Sequence, residues 1–240
     1  MCGIAGFFDL RHRRSSEEND NLATAMGNLI RHRGPDACAI WTDRASAIWL
    51  IHRRLAIIDL SEAGAQPMAT SDGTARIIYN GEIYNAAELR ELLAREGYSF
   101  RGHSDTEVVL NACHRWGIEG AVKRLNGFFA FAYWDRAKNR LFLARDRMGK
   151  KPLYWTQSNG GFAFASELSP IMLLPELSCE VDRSSVLDLL RYAYIPAPNS
   201  IFSDVKKLTP ASILEYDPER GSVEIRPYWS LFQAVQRTRR

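Results

Sequence analysis

The second residue of the chain is a cysteine, Cys2. Methionine is generally trimmed when the residue after it is small, and removal of Met1 leaves Cys2 with both a thiol and a free α-amine. An α-amine titrates near pH ~8. It is partly neutral around neutrality and can take the thiol proton, directly or through a water. Nucleophile and base then share one residue. Position alone favours a plainer reading, a small cysteine buried in a first strand. The residues that shift this balance lie elsewhere.

An attack on an acyl carbon needs donors aimed at the developing oxyanion. Asn80-Gly81-Glu82 offers a side-chain amide and a glycine N–H that can approach closely. The competing reading is an ordinary turn, for which Asn-Gly is a common dipeptide. A substrate with an amino-acid head also needs a cation for its carboxylate and anions for its ammonium. Arg54 suits the first task, since guanidinium grips carboxylate bidentately. Glu82 and Asp105 suit the second. Asp105 follows Gly102-His103-Ser104 and precedes an apolar-periodic run, so Ser104 or Asp105 can equally cap a helix. His52 and His103 flank these residues and read as orienting or packing groups. No H-E-x-x-H or other metal spacing occurs among the histidines. Arg145-Asp146-Arg147, after a strand, could be catalytic but reads better as a buried or strand-end ion pair.

These side chains must be positioned by a framework, and the chain is long enough for one. It has 240 residues, 46% of them hydrophobic and 25% charged, with a net charge of +3. That describes an ordinary globular protein with a sizeable core. The basic residues are scattered, apart from a short basic end at Arg237 to Arg240, so no nucleic-acid partner is expected. No apolar run reaches a membrane span, and Ile4 to Leu10 is too brief for a signal peptide. The expected location is the cytoplasm, with no membrane association. Cys2, Cys38, Cys113 and Cys179 are far apart, which suggests neither disulfides nor a zinc site.

Met1 to Asp9 reads as a buried strand and Leu22 to Ile30 as a helix stopped by His32-Arg33-Gly34-Pro35-Asp36. Ala47 to Ile51, Leu55 to Leu60 and Arg76 to Tyr79 read as strands, the last running into Asn80-Gly81-Glu82. Ala86 to Arg95 and Asp105 to Trp116 read as helices. Phe128 to Trp134 with Arg140 to Ala144, and Leu153 to Thr156 with Phe162 to Ala165, read as hairpins, the second around Ser158-Asn159-Gly160-Gly161. Sheets covered by helices, an α+β architecture, follow from this order. Ser185 to Tyr192 reads as a further helix. Ser212 to Tyr216 and Ser222 to Ile225 are short strand candidates. Residues 2–180 are expected to form the domain and 181–240 a linker, because so short a tail rarely builds its own core.

Nine segments occur in a meaningful order: Met1-Cys2-Gly3-Ile4-Ala5-Gly6, Arg31-His32-Arg33-Gly34-Pro35-Asp36, His52-Arg53-Arg54-Leu55-Ala56-Ile57-Ile58-Asp59, Gln66-Pro67-Met68, Tyr79-Asn80-Gly81-Glu82-Ile83-Tyr84-Asn85, Ser104-Asp105-Thr106-Glu107, Leu125 to Ala132, Arg145 to Tyr154, and Ala165-Ser166-Glu167. Together they resemble the glutaminase domain of the class II glutamine amidotransferases, and most nearly the glutamine-hydrolysing asparagine synthetase branch. Each segment alone is weak, but nine in order are specific.

The resemblance implies a four-layer αββα sandwich of the N-terminal-nucleophile hydrolase type, with a C-terminal linker segment. It implies that Cys2 attacks the side-chain amide of L-glutamine and that Asn80 and Gly81 form the oxyanion hole. Arg54 would hold the α-carboxylate, with Glu82 and Asp105 on the α-amine. Leu55, Ala56, Ile57 and Ile58 would line the pocket. The products would be glutamate and ammonia, by way of a γ-glutamyl thioester.

Leu189 to Pro198, Lys206 to Pro210 and Arg226 to Trp229 resemble the segment that leads to the synthetase domain in this family. The S-G-G-x-D-S signature of that domain is missing from these 240 residues. The expectation is therefore no cofactor in this chain, with ATP and Mg belonging to the absent synthetase domain. A synthetase domain or partner chain would receive the ammonia, and a homodimer is compatible with the family. The competing functions are a non-catalytic glutamine-binding module, an ammonia donor to a sugar or another carboxylate, and a hydrolase acting on a different amide.

Overall fold

A computed structural model of the chain describes residues 1–158 and 161–238. Asn159 and Gly160, the centre of the expected second hairpin turn, and Arg239 and Arg240 of the basic end lie outside the described residues. In chain order the elements begin with β1 (Gly3–Asp9), α1 (Ser16–Leu29), β2 (Ala37–Asp43), β3 (Ile48–Arg54), β4 (Met68–Ala69) and β5 (Ala75–Ile83). Then come α2 (Ala86–Arg95), α3 (Asp105–Arg124), β6 (Gly127–Asp135), β7 (Arg140–Arg145), β8 (Tyr154–Ser158) and β9 (Gly161–Ala165). The last are α4 (Leu168–Ile171), α5 (Arg183–Tyr192), β10 (Val205–Lys207), β11 (Ser212–Asp217), β12 (Ser222–Pro227) and α6 (Leu231–Thr238). They divide into two compact units, residues 1–55 with 152–209, and residues 56–151 with 210–240.

The first unit is a six-stranded antiparallel sheet in the order β10-β8-β9-β1-β3-β2. β1 is buried along its whole length, as a continuous apolar run in a central strand should be. Two glycines let its neighbours come close: a Cβ on Gly6 would lie 2.6 Å from the Phe164 ring and 2.8 Å from the Trp49 carbonyl. α1 packs Ala23 and Met26 against Phe7, Trp49, Ile51 and Ala163. It starts at Ser16, earlier than apolar spacing suggests, because its first turn is polar. Ser15 and Glu18 form a capping box, and the buried Asn19 donates to Asp9 Oδ2 at 2.8 Å. β2 is largely exposed and lies at the sheet edge, so it shows little hydrophobic pattern.

The second unit is a six-stranded sheet in the order β12-β11-β7-β6-β5-β4. α2 and α3 cover one face, packing Leu89, Leu93, Val109 and Ala112 on Ile77, Tyr79, Phe129 and Phe131. Truncating a buried leucine such as Leu93 in such a core costs about 2–5 kcal/mol. α2 has the expected limits. α3 starts at Asp105 as expected but runs past Trp116 to Arg124, with a break at Gly117, whose φ of 70° lies in the left-handed region.

Three expectations are corrected. Residues 55–60 are irregular rather than a strand; Ile57, Ile58 and Leu60 are exposed, so this apolar run packs on no sheet. The strand expected to end at Tyr79 continues through Asn80-Gly81-Glu82, which lie in β5 opposite Ala130, Phe129 and Phe128 of β6. Residues 181–240 are not a bare linker. β10 pairs with β8 in the first unit, while β11 pairs with β7 and carries β12 in the second. These short strands could not build a core alone, and they borrow one from partners distant in sequence.

Candidate active site

In the first unit, Cys2 sits just ahead of β1 and is partly buried. Its Sγ accepts the backbone N–H of Leu55 at 3.4 Å and lies 3.7 Å from the Leu55 carbonyl, to which the thiol can donate. Register explains the approach: Gly3 stands opposite Arg53, so the residues just before β1 and just after β3 meet.

The Cys2 carbonyl is also held, accepting from Arg33 Nε at 3.1 Å. Arg33 Nη1 in turn donates to Glu167 Oε1 at 2.9 Å, and His32 Nε2 lies 2.9 Å from the same oxygen. Burial works against the Glu167 charge, but the Arg33 and His32 contacts outweigh it and hold the carboxyl below its ordinary range. One residue earlier, Ser166 brackets Ile4. The Ile4 N–H donates to Ser166 Oγ at 3.1 Å, and the Ser166 N–H donates to the Ile4 carbonyl at 2.8 Å.

Arg53 and Arg54 end β3, and strand alternation sends them to opposite faces. Arg53 is buried and committed to the end of α1, donating to the Gly27 carbonyl at 2.8 Å and to Asn28 Oδ1 at 2.6 Å. Arg54 is only half buried. Gly34 packs on this strand end; a Cβ there would lie 2.4 Å from the Arg53 carbonyl carbon.

In the second unit, Asn80 is 1% exposed, and its Nδ2 is a buried donor with no hydrogen-bond partner among the described residues. Leaving such a group unmet costs about 1–3 kcal/mol. A Cβ on the next residue, Gly81, would lie 2.5 Å from the Phe128 carbonyl, and one on Gly127 would lie 2.1 Å from the Glu82 carbonyl. Close approach of β5 and β6 therefore demands glycine on both strands. Glu82 is exposed on β5.

Asp105 is 7% exposed, and its Oδ2 accepts the Tyr79 hydroxyl at 2.7 Å and the Ile83 N–H at 3.1 Å. Burial pushes its carboxyl above the ordinary range, against the lowering effect of those bonds. The helix cap is Ser104, whose hydroxyl accepts the Thr106 N–H at 3.0 Å. Ala56 is half buried, while Ile57 and Ile58 are 72% and 53% exposed. Their segment is tethered by Asp59, which accepts the Ser61 N–H at 2.9 Å and the His103 N–H at 3.0 Å.

Asp146 anchors a run of backbone. Its buried carboxylate accepts four backbone N–H groups, from Phe129, Met148, Lys150 and Lys151, at 3.0–3.3 Å. Arg145 and Arg147 also serve the backbone, donating to the carbonyls of Lys151, Gly149, Leu125 and Lys123. The holding roles of Leu55 N–H, Arg33, Ser166 and Glu167 escaped the sequence reading. Arg33 and Glu167 stand in two of the nine ordered segments, but nothing in their spacing shows that they meet.

The glutamine amidotransferase domain family matches residues 1–229. The chain belongs to this family. The domain is 37% identical over 234 residues to asparagine synthetase [glutamine-hydrolyzing] 3 of Bacillus subtilis (strain 168), covering 96% of this chain and 37% of that protein. It is 38% identical over 237 residues to asparagine synthetase [glutamine-hydrolyzing] 1 of the same organism, covering 98% of this chain and 37% of that protein. It thus spans little more than a third of the length of these curated relatives. The solved structure of glutamine phosphoribosylpyrophosphate amidotransferase from B. subtilis, complexed with ADP and GMP, matches with a TM-score of 0.65 at 17% identity, over 95% of this chain and 49% of that one. That likeness shows the amidotransferase fold, in keeping with the two helix-covered antiparallel sheets. No helix among the described residues is long and apolar enough to cross a membrane. No group of three His, Cys, Asp or Glu side chains among them could hold a metal.

Proposed function

We propose that this amidotransferase domain hydrolyses L-glutamine to glutamate and ammonia through a thioester on Cys2, once Met1 has been removed. The α-amine takes the thiol proton, and the sulfur attacks the side-chain amide carbon. The carbonyl oxygen becomes an oxyanion that accepts from Asn80 Nδ2 and the Gly81 N–H. The C–N bond then breaks as the α-ammonium returns its proton to the leaving nitrogen, releasing ammonia. Water, deprotonated by the same amine, attacks the thioester; glutamate leaves and the thiol is restored.

The observation that carries this reading is the Asn80 amide, a buried donor without a partner on the strand residue beside Gly81. An oxyanion hole needs such a preorganised donor. Arg54 takes the substrate α-carboxylate, and Glu82 and Asp105 serve its ammonium. Leu55, Ala56, Ile57 and Ile58 line the substrate. The names of its relatives support reading the domain as the ammonia-supplying part of an asparagine synthetase. The complete reaction there converts aspartate, ATP and glutamine to asparagine, AMP, diphosphate and glutamate. ATP and Mg2+ act in the amide-forming step and in no step of glutamine hydrolysis.

The test is turnover by protein whose mass shows that it starts at Cys2. Equal amounts of glutamate and ammonia are expected, with none from Cys2→Ala protein of unchanged urea midpoint. Absence of both turnover and Cys2 labelling by a glutamine-mimicking electrophile in trimmed protein overturns the reading.

A further inference from the structure

We propose that Glu167 is a positioning residue for the nucleophile, acting through Arg33 on the Cys2 carbonyl. The inference rests on the glutaminase reading of Cys2 and goes beyond it, since Glu167 touches neither the thiol nor the α-amine.

Four facts of the first unit carry it. Arg33 reaches the Cys2 carbonyl through Nε, the inner nitrogen of its guanidinium. Its Nη1 is held by Glu167 Oε1 at 2.9 Å. A planar guanidinium fixed at one edge presents its other donors in a set direction, so the carboxylate determines where Nε points. The Arg33 side chain is only 9% exposed, while that of Glu167 is 29% exposed, so water reaches the pair from the carboxylate side only in part. Ser166 meanwhile clamps the N–H and carbonyl of Ile4. The dipeptide Ser166-Glu167 thus grips the chain at Ile4 directly and at Cys2 through Arg33.

Such a grip has a reason in the chemistry. A nucleophile on a terminal residue has chain on one side only, and both its thiol and its amine depend on the torsions of that residue. The Leu55 N–H fixes the sulfur. The Arg33 contact fixes the carbonyl, which leaves the amine as the remaining group and sets its direction. A displacement of about 1 Å in such a group costs up to ~100-fold in rate.

Glu167→Ala and Glu167→Gln test this in trimmed protein, with two readouts. One is glutamine turnover; the other is the carbonyl carbon resonance of selectively 13C-labelled Cys2. The alanine variant should shift the resonance and lower kcat about 10- to 100-fold, with KM changed less than about threefold. Glutamine keeps the size of the side chain and an acceptor oxygen for Arg33, so its kcat should fall between wild type and alanine. It also serves as the test if the alanine variant does not fold. An unmoved resonance overturns the positioning, whatever the turnover. A moved resonance with unchanged kcat, or a loss confined to KM, also overturns it. If wild-type protein is inert toward glutamine while the resonance moves, the glutaminase reading fails and the contact alone survives.

Discussion

The Tyr79 hydroxyl donates to Asp105 Oδ2 at 2.7 Å and so ties the first residue of α3 to the strand that carries Asn80 and Gly81. The bond is buried, and it favours the ionised carboxylate against the burial that raises its pKa.

Tyr79→Phe should therefore cost about 1.5–3 kcal/mol at neutral pH, the range for hydrogen bonds to charged groups. The sign with pH follows from the raised pKa. The folded state binds the Asp105 proton more tightly than the unfolded chain does, so this group's contribution is most favourable at low pH and is lost as pH rises through the folded value. Losing the phenol raises the folded pKa further. The wild-type advantage should shrink as the solution is acidified and Asp105 is protonated in both proteins. Urea titrations of the two proteins across that range check it; a penalty that grows on acidification refutes it.

Asn80→Leu removes a donor that no described residue satisfies. Stability should be unchanged or higher by up to about 1 kcal/mol, because a buried unmet polar group disappears. Glutamine turnover should fall about 100- to 1000-fold, the usual loss for an oxyanion donor. A large drop in stability with turnover retained contradicts the assignment. The paired measurement is a urea midpoint and a glutamate assay on one preparation.

Gly34→Ala places a Cβ against the backbone of Arg53, where nothing flexible can yield. The strand end carrying Arg54 must shift, with a stability loss of about 1–3 kcal/mol. If Arg54 holds the substrate carboxylate, KM for glutamine should rise more than kcat falls. Steady-state kinetics at saturating and low glutamine separate the two.

Asp146→Ala leaves four backbone N–H groups without their acceptor. A loss above about 3 kcal/mol is expected, since each unmet buried donor costs 1 kcal/mol or more. Thermal unfolding measures it. A variant within about 1 kcal/mol of wild type means that water replaces the carboxylate.

The sequence was most legible where local and tertiary signals agree. α2 has the apolar spacing of a helix resting on a sheet, and its limits match the reading. β1, β6 and β7 were legible because central strands are apolar throughout. Legibility failed where local chemistry resembles another element. Asn80-Gly81 looks like a turn, yet its glycine is demanded by the approach of β6 from fifty residues away in sequence. Leu55-Ala56-Ile57-Ile58 looks like a strand but leaves its isoleucines in solvent. The groups proposed for the site could be named from residue types and the family resemblance. Their supports could not, because the Cys2–Leu55 and Arg33–Glu167 contacts join residues 53 and 134 positions apart.

The place of β1 has a consequence during synthesis. It leaves the ribosome before both strands it pairs with, yet it becomes an inner strand of its sheet, between β3 and β9. Its Ile4 N–H waits for Ser166, 162 residues later. At a translation rate of about 5–20 residues per second, roughly 10 to 30 s separate the two. Throughout that interval Met1 and Cys2 cannot be fully enclosed by their own sheet. Late completion of the sheet thus leaves a period in which the Met1 removal that the proposed mechanism requires could precede the locking of β1 in place.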